Sequence, residues 1–243
     1  MSLLWSPWHG CHKCSEGCKN CYVYYLDSVR DKDASVVTKS KTNFNLPLKK
    51  TRSGEYKLAP GAEVATCFTS DFFLEEADCW RQEAWEIIKK RPDVKFLICT
   101  KRVNRILNCL PPDWGNGYNN VAIAVTCENQ KRADERMPIF LKIPAKQKFV
   151  FVAPILEYVD LKKYLNSKQI NRVSVGGESY KYARVCNFEW VKKIYSDCVN
   201  CGVEFEFHQT GSNFLKDGKV YKIKHSSEYE QAKKAMEYLK NNS

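Results

Sequence analysis

From residue 63 onward the chain alternates short apolar runs with segments of helical spacing, and this rhythm narrows the fold more than any other feature. The expected strands are Leu3–Trp5, Glu63–Phe68, Phe96–Cys99, Val121–Val125, Phe149–Val152, Arg172–Val175 and Val203–Phe207. Helices are expected at Tyr22 to about Val29, at Glu75–Lys90 with Trp80, Ala84, Ile87 and Ile88 on one side, and at Arg102–Cys109. Further helices follow at Asn129–Leu141 with Asn129 as cap, at 159–166, and at Phe188–Cys198 with Gly202 as C-cap. Strands alternating with helices pair in parallel through right-handed crossovers. Runs this short and apolar suit strands covered on both faces. The expected fold class is therefore α/β, a complete or partly open (β/α) barrel of about six to seven units. A doubly wound open sheet is the alternative.

Chemistry in such folds gathers where strands end and loops begin. Here each expected strand end carries polar groups. They are Cys11 to Cys21, Thr69-Ser70-Asp71, Thr100-Lys101-Arg102, Thr126-Cys127-Glu128-Asn129, Pro154 with Glu157, Gly176-Gly177-Glu178-Ser179, and His208-Gln209. One such group is commonplace: Asp71 alone can cap a helix, and Gly176-Gly177 alone can be a tight turn. A succession along one sheet edge describes a polar ring above an apolar core.

The first group holds four cysteines, Cys11, Cys14, Cys18 and Cys21, the last followed by Tyr22. Three close thiolates can hold an iron–sulfur cluster and leave one iron without a protein ligand, which suits binding and reduction of a small molecule. Zinc is the competing reading, since Cys-x2-Cys recurs in zinc sites. A second ligand pair for zinc could come from Cys198 and Cys201, but these lie about 180 residues further along. A disulfide framework is not needed by a chain of 243 residues, and MSLLWSPWHG lacks the basic start and apolar run of a secretory leader. With twelve cysteines, the expectation is a reducing cytoplasm.

The motifs, taken in order, make a specific resemblance. SPWHGCHKCSEGCKNCY, CFTSDFFLEEAD, ICTKR, VTCENQKRADERMPIFL, PILEYVDL, VGGES and FHQTG span residues 5–214. On these the chain resembles the radical S-adenosylmethionine (SAM) superfamily. More closely it is similar to a phage- and bacteria-encoded branch of unassigned substrate, distantly similar to spore photoproduct lyase. That branch uses Gly-Cys-x6-Cys-x2-Cys, matched by Cys11, Cys18 and Cys21, whereas the wider superfamily uses the spacing of Cys14, Cys18 and Cys21. Either Cys11 or Cys14 is then the third ligand, with Cys11 favoured by the branch pattern.

The resemblance implies a [4Fe–4S] cluster, SAM, an external one-electron reductant, and reductive cleavage of SAM to methionine and a 5′-deoxyadenosyl radical. It implies Thr69, Ser70 and Asp71 near the SAM amino group and Lys101 at its carboxylate. Thr126, Glu128 and Asn129 fall to the ribose hydroxyls. Gly176, Gly177 and Glu178 form a later motif for substrate or ribose, and His208 lies at the substrate end. Glu178, Lys101 and His208 are the candidates for catalytic roles. Cys127, beside the expected ribose loop, is more readily a buried structural thiol, and no residue is assigned as a radical relay.

Charge bears on the substrate. The net charge is +11 and the pI about 9.0, which favours polyanions, nucleic acid first. The excess is concentrated in Lys39, Lys41, Lys49, Lys50, Arg52 and Lys57, and in Lys216, Lys219, Lys222 and Lys224, with Tyr56 and Tyr221 interleaved. Nucleic acid or a nucleotide-derived group is therefore the expected substrate class, although the same lysines would also serve as solvated hairpins. No run reaches the roughly 18 apolar residues of a membrane span. The expected domains are a barrel over 1–214 with a basic insertion at about 33–60, and a basic extension over 215–243. The rival function is a non-catalytic, zinc-containing, basic nucleic-acid-binding protein.

Overall fold

A computed structural model describes residues 3–241. Among the described residues, twelve strands form in chain order. The first six are β1 (Leu3–Trp5), β2 (Trp8–His9), β3 (Thr38–Lys39), β4 (Glu63–Thr66), β5 (Lys95–Thr100) and β6 (Val121–Thr126). The others are β7 (Gln147–Val152), β8 (Arg172–Gly176), β9 (Cys186–Asn187), β10 (Glu204–Gln209), β11 (Asn213–Lys216) and β12 (Lys219–Lys222). The helices are α1 (Tyr22–Ser28), α2 (Asp78–Lys89), α3 (Gln130–Phe140), α4 (Lys162–Leu165), α5 (Phe188–Cys201) and α6 (Glu228–Asn241).

Seven parallel strands lie in the order β1-β4-β5-β6-β7-β8-β10, an α/β fold of the partly open (β/α) barrel class. All seven expected strands are present; the inner ones are apolar runs largely covered on both faces, while the edge strands β1 and β10 leave residues exposed. β6 is buried at every position. Asn129 caps α3 through its side chain, and Gly202 ends α5 in the left-handed conformation at φ 68°.

The chain divides into two compact units. Among the described residues, the first takes in 3–12, with Leu26–Ala124 and Lys142–Gln147. Its core holds Trp5, Trp8, Phe72, Phe73, Trp85, Ile88 and Ile98. Two of its indoles are pinned: Trp5 donates to the Phe44 carbonyl at 2.9 Å and Trp8 to the Asp71 carbonyl at 3.1 Å. The basic segment around 33–60 is tied down by a buried arginine, as Arg91 donates to the carbonyls of Pro47 and Leu58 and pairs with Asp93.

Among the described residues, the second unit takes in Lys13–Tyr25, Val125–Leu141 and 148–241. Phe188 on α5 packs against Phe207 of β10 and Phe214 of β11. β11 and β12 form an antiparallel hairpin through Asp217-Gly218, and β9 pairs with β11.

Three local expectations shift. Arg102–Cys109 is two 3-10 turns, Val103–Arg105 and Leu107–Cys109, not an α-helix. The segment is too short to offset the cost of a helical nucleus, and Pro111-Pro112 blocks its extension. The stretch at 159–166 keeps only one helical turn, α4. The tail beyond the hairpin forms α6, unread in the sequence, which buries Glu228, Ala232, Ala235 and Leu239.

Candidate functional site

In the first unit, the chain leaves β2 through Gly10, whose φ of +90° suits glycine. A Cβ there would stand 2.3 Å from the Val36 carbonyl oxygen. The Gly10 N–H donates to the Thr69 carbonyl at 3.2 Å, and Ser70 Oγ donates to the Gly10 carbonyl. Cys11 is then fixed by its N–H to the Ala34 carbonyl at 2.8 Å. Thus the Thr69-Ser70 turn after β4 holds the entrance to the cysteine loop.

Asp71 is a buried hub. Its carboxylate accepts from Thr100 Oγ1 at 2.7 Å, the Phe73 N–H at 2.9 Å, the Lys101 N–H at 3.1 Å and Arg102 Nη1 at 3.1 Å. Arg102 carries this order to Cys11: it donates to the His12 carbonyl at 2.8 Å, and its Nη1 lies 3.6 Å from Cys11 Sγ. Lys101 is half-buried at the end of β5. Burial, with the charges of Asp71 and Cys11, pushes the Cys67 thiol well up.

The second unit holds Cys14, exposed, and Cys18 and Cys21, half-buried. They sit around a 3-10 turn at Glu16–Cys18, closed by the Cys18 N–H to the Ser15 carbonyl at 3.0 Å. This turn is clamped from several sides. Arg132 of α3 grips the Glu16 carboxylate with two bonds at 2.8 and 3.0 Å. That hydrogen bonding draws Glu16 down to about 2. Arg184 donates to the Glu16 carbonyl at 3.0 Å and also pairs with Glu178. Asn20 donates to Glu178 Oε2 at 3.1 Å and to the Tyr182 carbonyl at 2.7 Å.

Gly17 lies against Glu128: a Cβ on it would stand 3.0 Å from that carboxyl. Glu128 is fully buried and paired with Arg136 at 2.6 Å, and Arg136 also donates to the Thr126 carbonyl. Asn129 Oδ1 caps α3 by accepting the Arg132 N–H at 2.8 Å. Glu157 supports the same helix start through the Gln130 N–H.

Gly176 and Gly177 are needed by close approach. A Cβ at 176 would stand 2.3 Å from His208 Nε2, and one at 177 would stand 2.3 Å from the Thr210 carbonyl. Gln209 returns its side-chain amide to the Gly177 carbonyl at 2.7 Å. Cys127 is fully buried; Cys198 is also buried, which pushes its thiol up to about 12, and Cys201 Sγ lies 3.5 Å from Asn166 Oδ1.

Of the expected site residues, Cys11, Thr69, Ser70, Asp71 and Lys101 share the first unit. Cys14, Cys18, Cys21, Thr126, Glu128, Asn129, Gly176, Gly177, Glu178 and His208 share the second. Sequence reasoning named Arg102 within a strand-end group but gave it no role, and missed Arg132, Arg136 and Arg184; all four hold the loop and its supports. Arg132 and Arg136 had a signal in their i, i+4 spacing on a helix that starts beside the Glu128 loop; Arg184 had none.

The donor types fit an iron–sulfur cluster. The four thiols of the loop are outside any disulfide, three are within reach of solvent to some degree, and one is exposed. Among the described residues, no three His, Cys, Asp or Glu side chains are drawn together as a metal group.

Parallel α/β architecture and a clamped, cysteine-bearing loop define the class. A family model described as a protein of unknown function, DUF5131, matches residues 2–238, and the chain belongs to that family. Among solved structures, a mutant of spore photoproduct lyase aligns at 10% identity with a TM-score of 0.43, over 96% of this chain and 71% of the other. No curated protein matches the chain.

Proposed function

We propose that the protein is a radical SAM enzyme of a phage- and bacteria-encoded branch, acting on nucleic acid or a nucleotide-derived group. The observation that carries this is the clamped turn. Glu16, Gly17 and Asn20, the residues between the cysteines, each contact a side chain from a later motif. Thiols meant only to fill a core would not need a loop so tightly indexed to the strand ends.

Cys18 and Cys21, with Cys11 or Cys14, would hold a [4Fe–4S] cluster. Such a cluster, with SAM and an external one-electron reductant, would supply reductive cleavage of the sulfonium C–S bond to methionine and an adenosyl radical able to take a hydrogen atom from the substrate. The chain's own work is placement. Asp71 organises the loops after β4 and β5, and Glu178 with Arg184 ties the loop after β8 to the cysteine turn. Glu128 supports the turn from below through Gly17. Lys101 stands as the cation for a ligand carboxylate. The reading assigns a reducing compartment, and no helix among the described residues is long and apolar enough to cross a membrane.

Zinc in a basic nucleic-acid-binding protein is the competing reading, since thiolates also suit that metal. Anaerobic metal analysis joined to a SAM cleavage assay separates the two. The expected result is a brown protein with iron, charge-transfer absorption near 400 nm and release of 5′-deoxyadenosine on reduction. Cys18→Ala and Cys21→Ala should each abolish iron loading. A colourless chain that takes up zinc and ignores SAM overturns the proposal.

A further inference from the structure

The β8–β10 end of the sheet carries a polar trio outside the cysteine clamp. Phe205 meets Tyr195 of α5 edge-on, and Phe207 meets Phe188, so both side chains face α5. Alternation along β10 turns Glu204 and Glu206 to the opposite face, and His208, where the register with β8 shifts, reaches that face through its contact with Ser174. Ser174 of β8 pairs in register with Glu206 and shares that face. There Ser174 Oγ donates to Glu206 Oε2 at 3.0 Å and lies 2.9 Å from His208 Nδ1.

A hydroxyl has one proton, and an ionised carboxylate only accepts. The Ser174 proton is therefore committed to Glu206, and Oγ is left to accept from Nδ1. Neutral His208 then carries its hydrogen on Nδ1 and presents a lone pair at Nε2. Burial lowers the pKa of His208, partly opposed by Glu206, so the neutral form prevails near neutral pH. Gly176 provides the room: any Cβ there would collide with Nε2. The charged groups on this face are Glu206, Glu204 and Arg172, the last two paired at 2.9 Å. Arg172 also lies over Phe149 of β7, and Phe151 of the same strand flanks the imidazole.

We propose that His208 Nε2 is a proton acceptor for an N–H or O–H group of the substrate, with Ser174 and Glu206 as positioning residues that fix its tautomer. The substrate X–H proton passes to Nε2, and the electron pair of that bond stays on X. The imidazolium keeps its Nδ1–H on Ser174, and Glu206 balances its charge. The Nε2 proton later leaves to water or to the product. With Glu204 paired to Arg172, Glu206 is the uncompensated charge of the three beside the imidazole, and a carboxylate there disfavours phosphate and suits a donor-rich edge, such as a ring N–H or a hydroxyl. The inference rests on the proposed function only for a substrate lying on this face; the tautomer belongs to the chain alone.

The test uses the full chain, labelled with 15N-histidine, without added metal. His208 is one of four histidines, and His208→Gln assigns its signals. Long-range 1H–15N correlation should find the Nδ1–H tautomer in the wild type. Ser174→Ala should move it toward Nε2–H, and Glu206→Gln should lower the imidazolium pKa by about one unit, a tenfold change. Diethyl pyrocarbonate, which acylates an unprotonated imidazole nitrogen, should modify His208 in the folded chain. An Nε2–H wild type, a tautomer and pKa unmoved by both variants, or complete protection from the reagent each overturns the proposal. Failure of iron loading would sink the radical reading and leave these results standing.

Discussion

Gly17→Ala is the sharpest probe of the cysteine turn. The new methyl carbon would stand 3.0 Å from Cδ and Oε1 of Glu128 and 3.1 Å from its Cγ. Neither side can easily yield. Glu128 is fully buried and held by Arg136 at 2.6 Å. The turn is held by Arg132 on the Glu16 side chain and by Arg184 on its carbonyl. Overpacking a rigid contact costs about 1–3 kcal/mol. For a chain of this size each kcal/mol lowers Tm by about 2–4 °C, so the expected fall is roughly 2–12 °C. Thermal unfolding followed by circular dichroism reads it directly, and iron per chain after anaerobic reconstitution should fall alongside. The contact itself is isolated by a double-mutant cycle with Glu128→Asp, which withdraws the carboxylate by one methylene. The alanine should cost less in the Asp background. An unchanged Tm, or the same cost in both backgrounds, refutes the argument that Glu128 indexes the turn.

Other consequences follow from the same contacts. Because Arg132 draws Glu16 below its ordinary value, that pair stabilises the fold above about pH 4.5, and its contribution is lost as pH falls toward about 2. Glu16 is largely exposed, so Arg132→Gln should cost under about 1 kcal/mol at pH 7 and flatten the acid dependence of the unfolding midpoint between those limits; an unaltered acid profile counts against the pair. Alkylation followed by mass spectrometry on the metal-free chain should label Cys14 and Cys79 first and leave Cys127, Cys186 and Cys198 untouched until unfolding, since burial raises the last two thiols; early labelling of Cys198 would contradict its burial. Replacing Lys219, Lys222 and Lys224 with Glu should weaken polyanion binding and flatten its salt dependence, by about 0.7–0.9 in log–log slope per lost phosphate contact, while SAM cleavage persists. Binding indifferent to salt would remove nucleic acid from the substrate class.

The role of the loops was only half legible. Sequence marked Asp71, Glu128 and Glu178 as chemically rich strand ends and assigned them, through resemblance, to a ligand. The fold gives each of them protein partners: Asp71 meets Thr100 and Arg102, Glu128 meets Arg136, and Glu178 meets Arg184 and Asn20. Asn20 and Glu178 are 158 residues apart, and no local pattern announces such a meeting. The basic segments show the same divide. Lys39 reaches Glu83 on α2 and lies over the Phe44 ring, so part of that charge has work inside the fold. The Lys219–Lys222 strand, by contrast, is exposed at every position, as a solvated or polyanion-facing hairpin requires.

Sequence by itself determined the parallel α/β architecture, the Asn129 cap, the Gly202 stop and the grouping of four thiols on one loop. These rest on periods of two or 3.6 residues and on side chains acting within a turn of their own backbone. Only tertiary structure decided why a Cβ on Gly17 would be crowded, which arginines hold the cysteine turn, that α6 buries its alanines, and that His208 meets Ser174. Each of those depends on a polar or packing partner brought close by the sheet from a distant part of the chain. A buried donor or acceptor must find such a partner, and the fold alone supplies it.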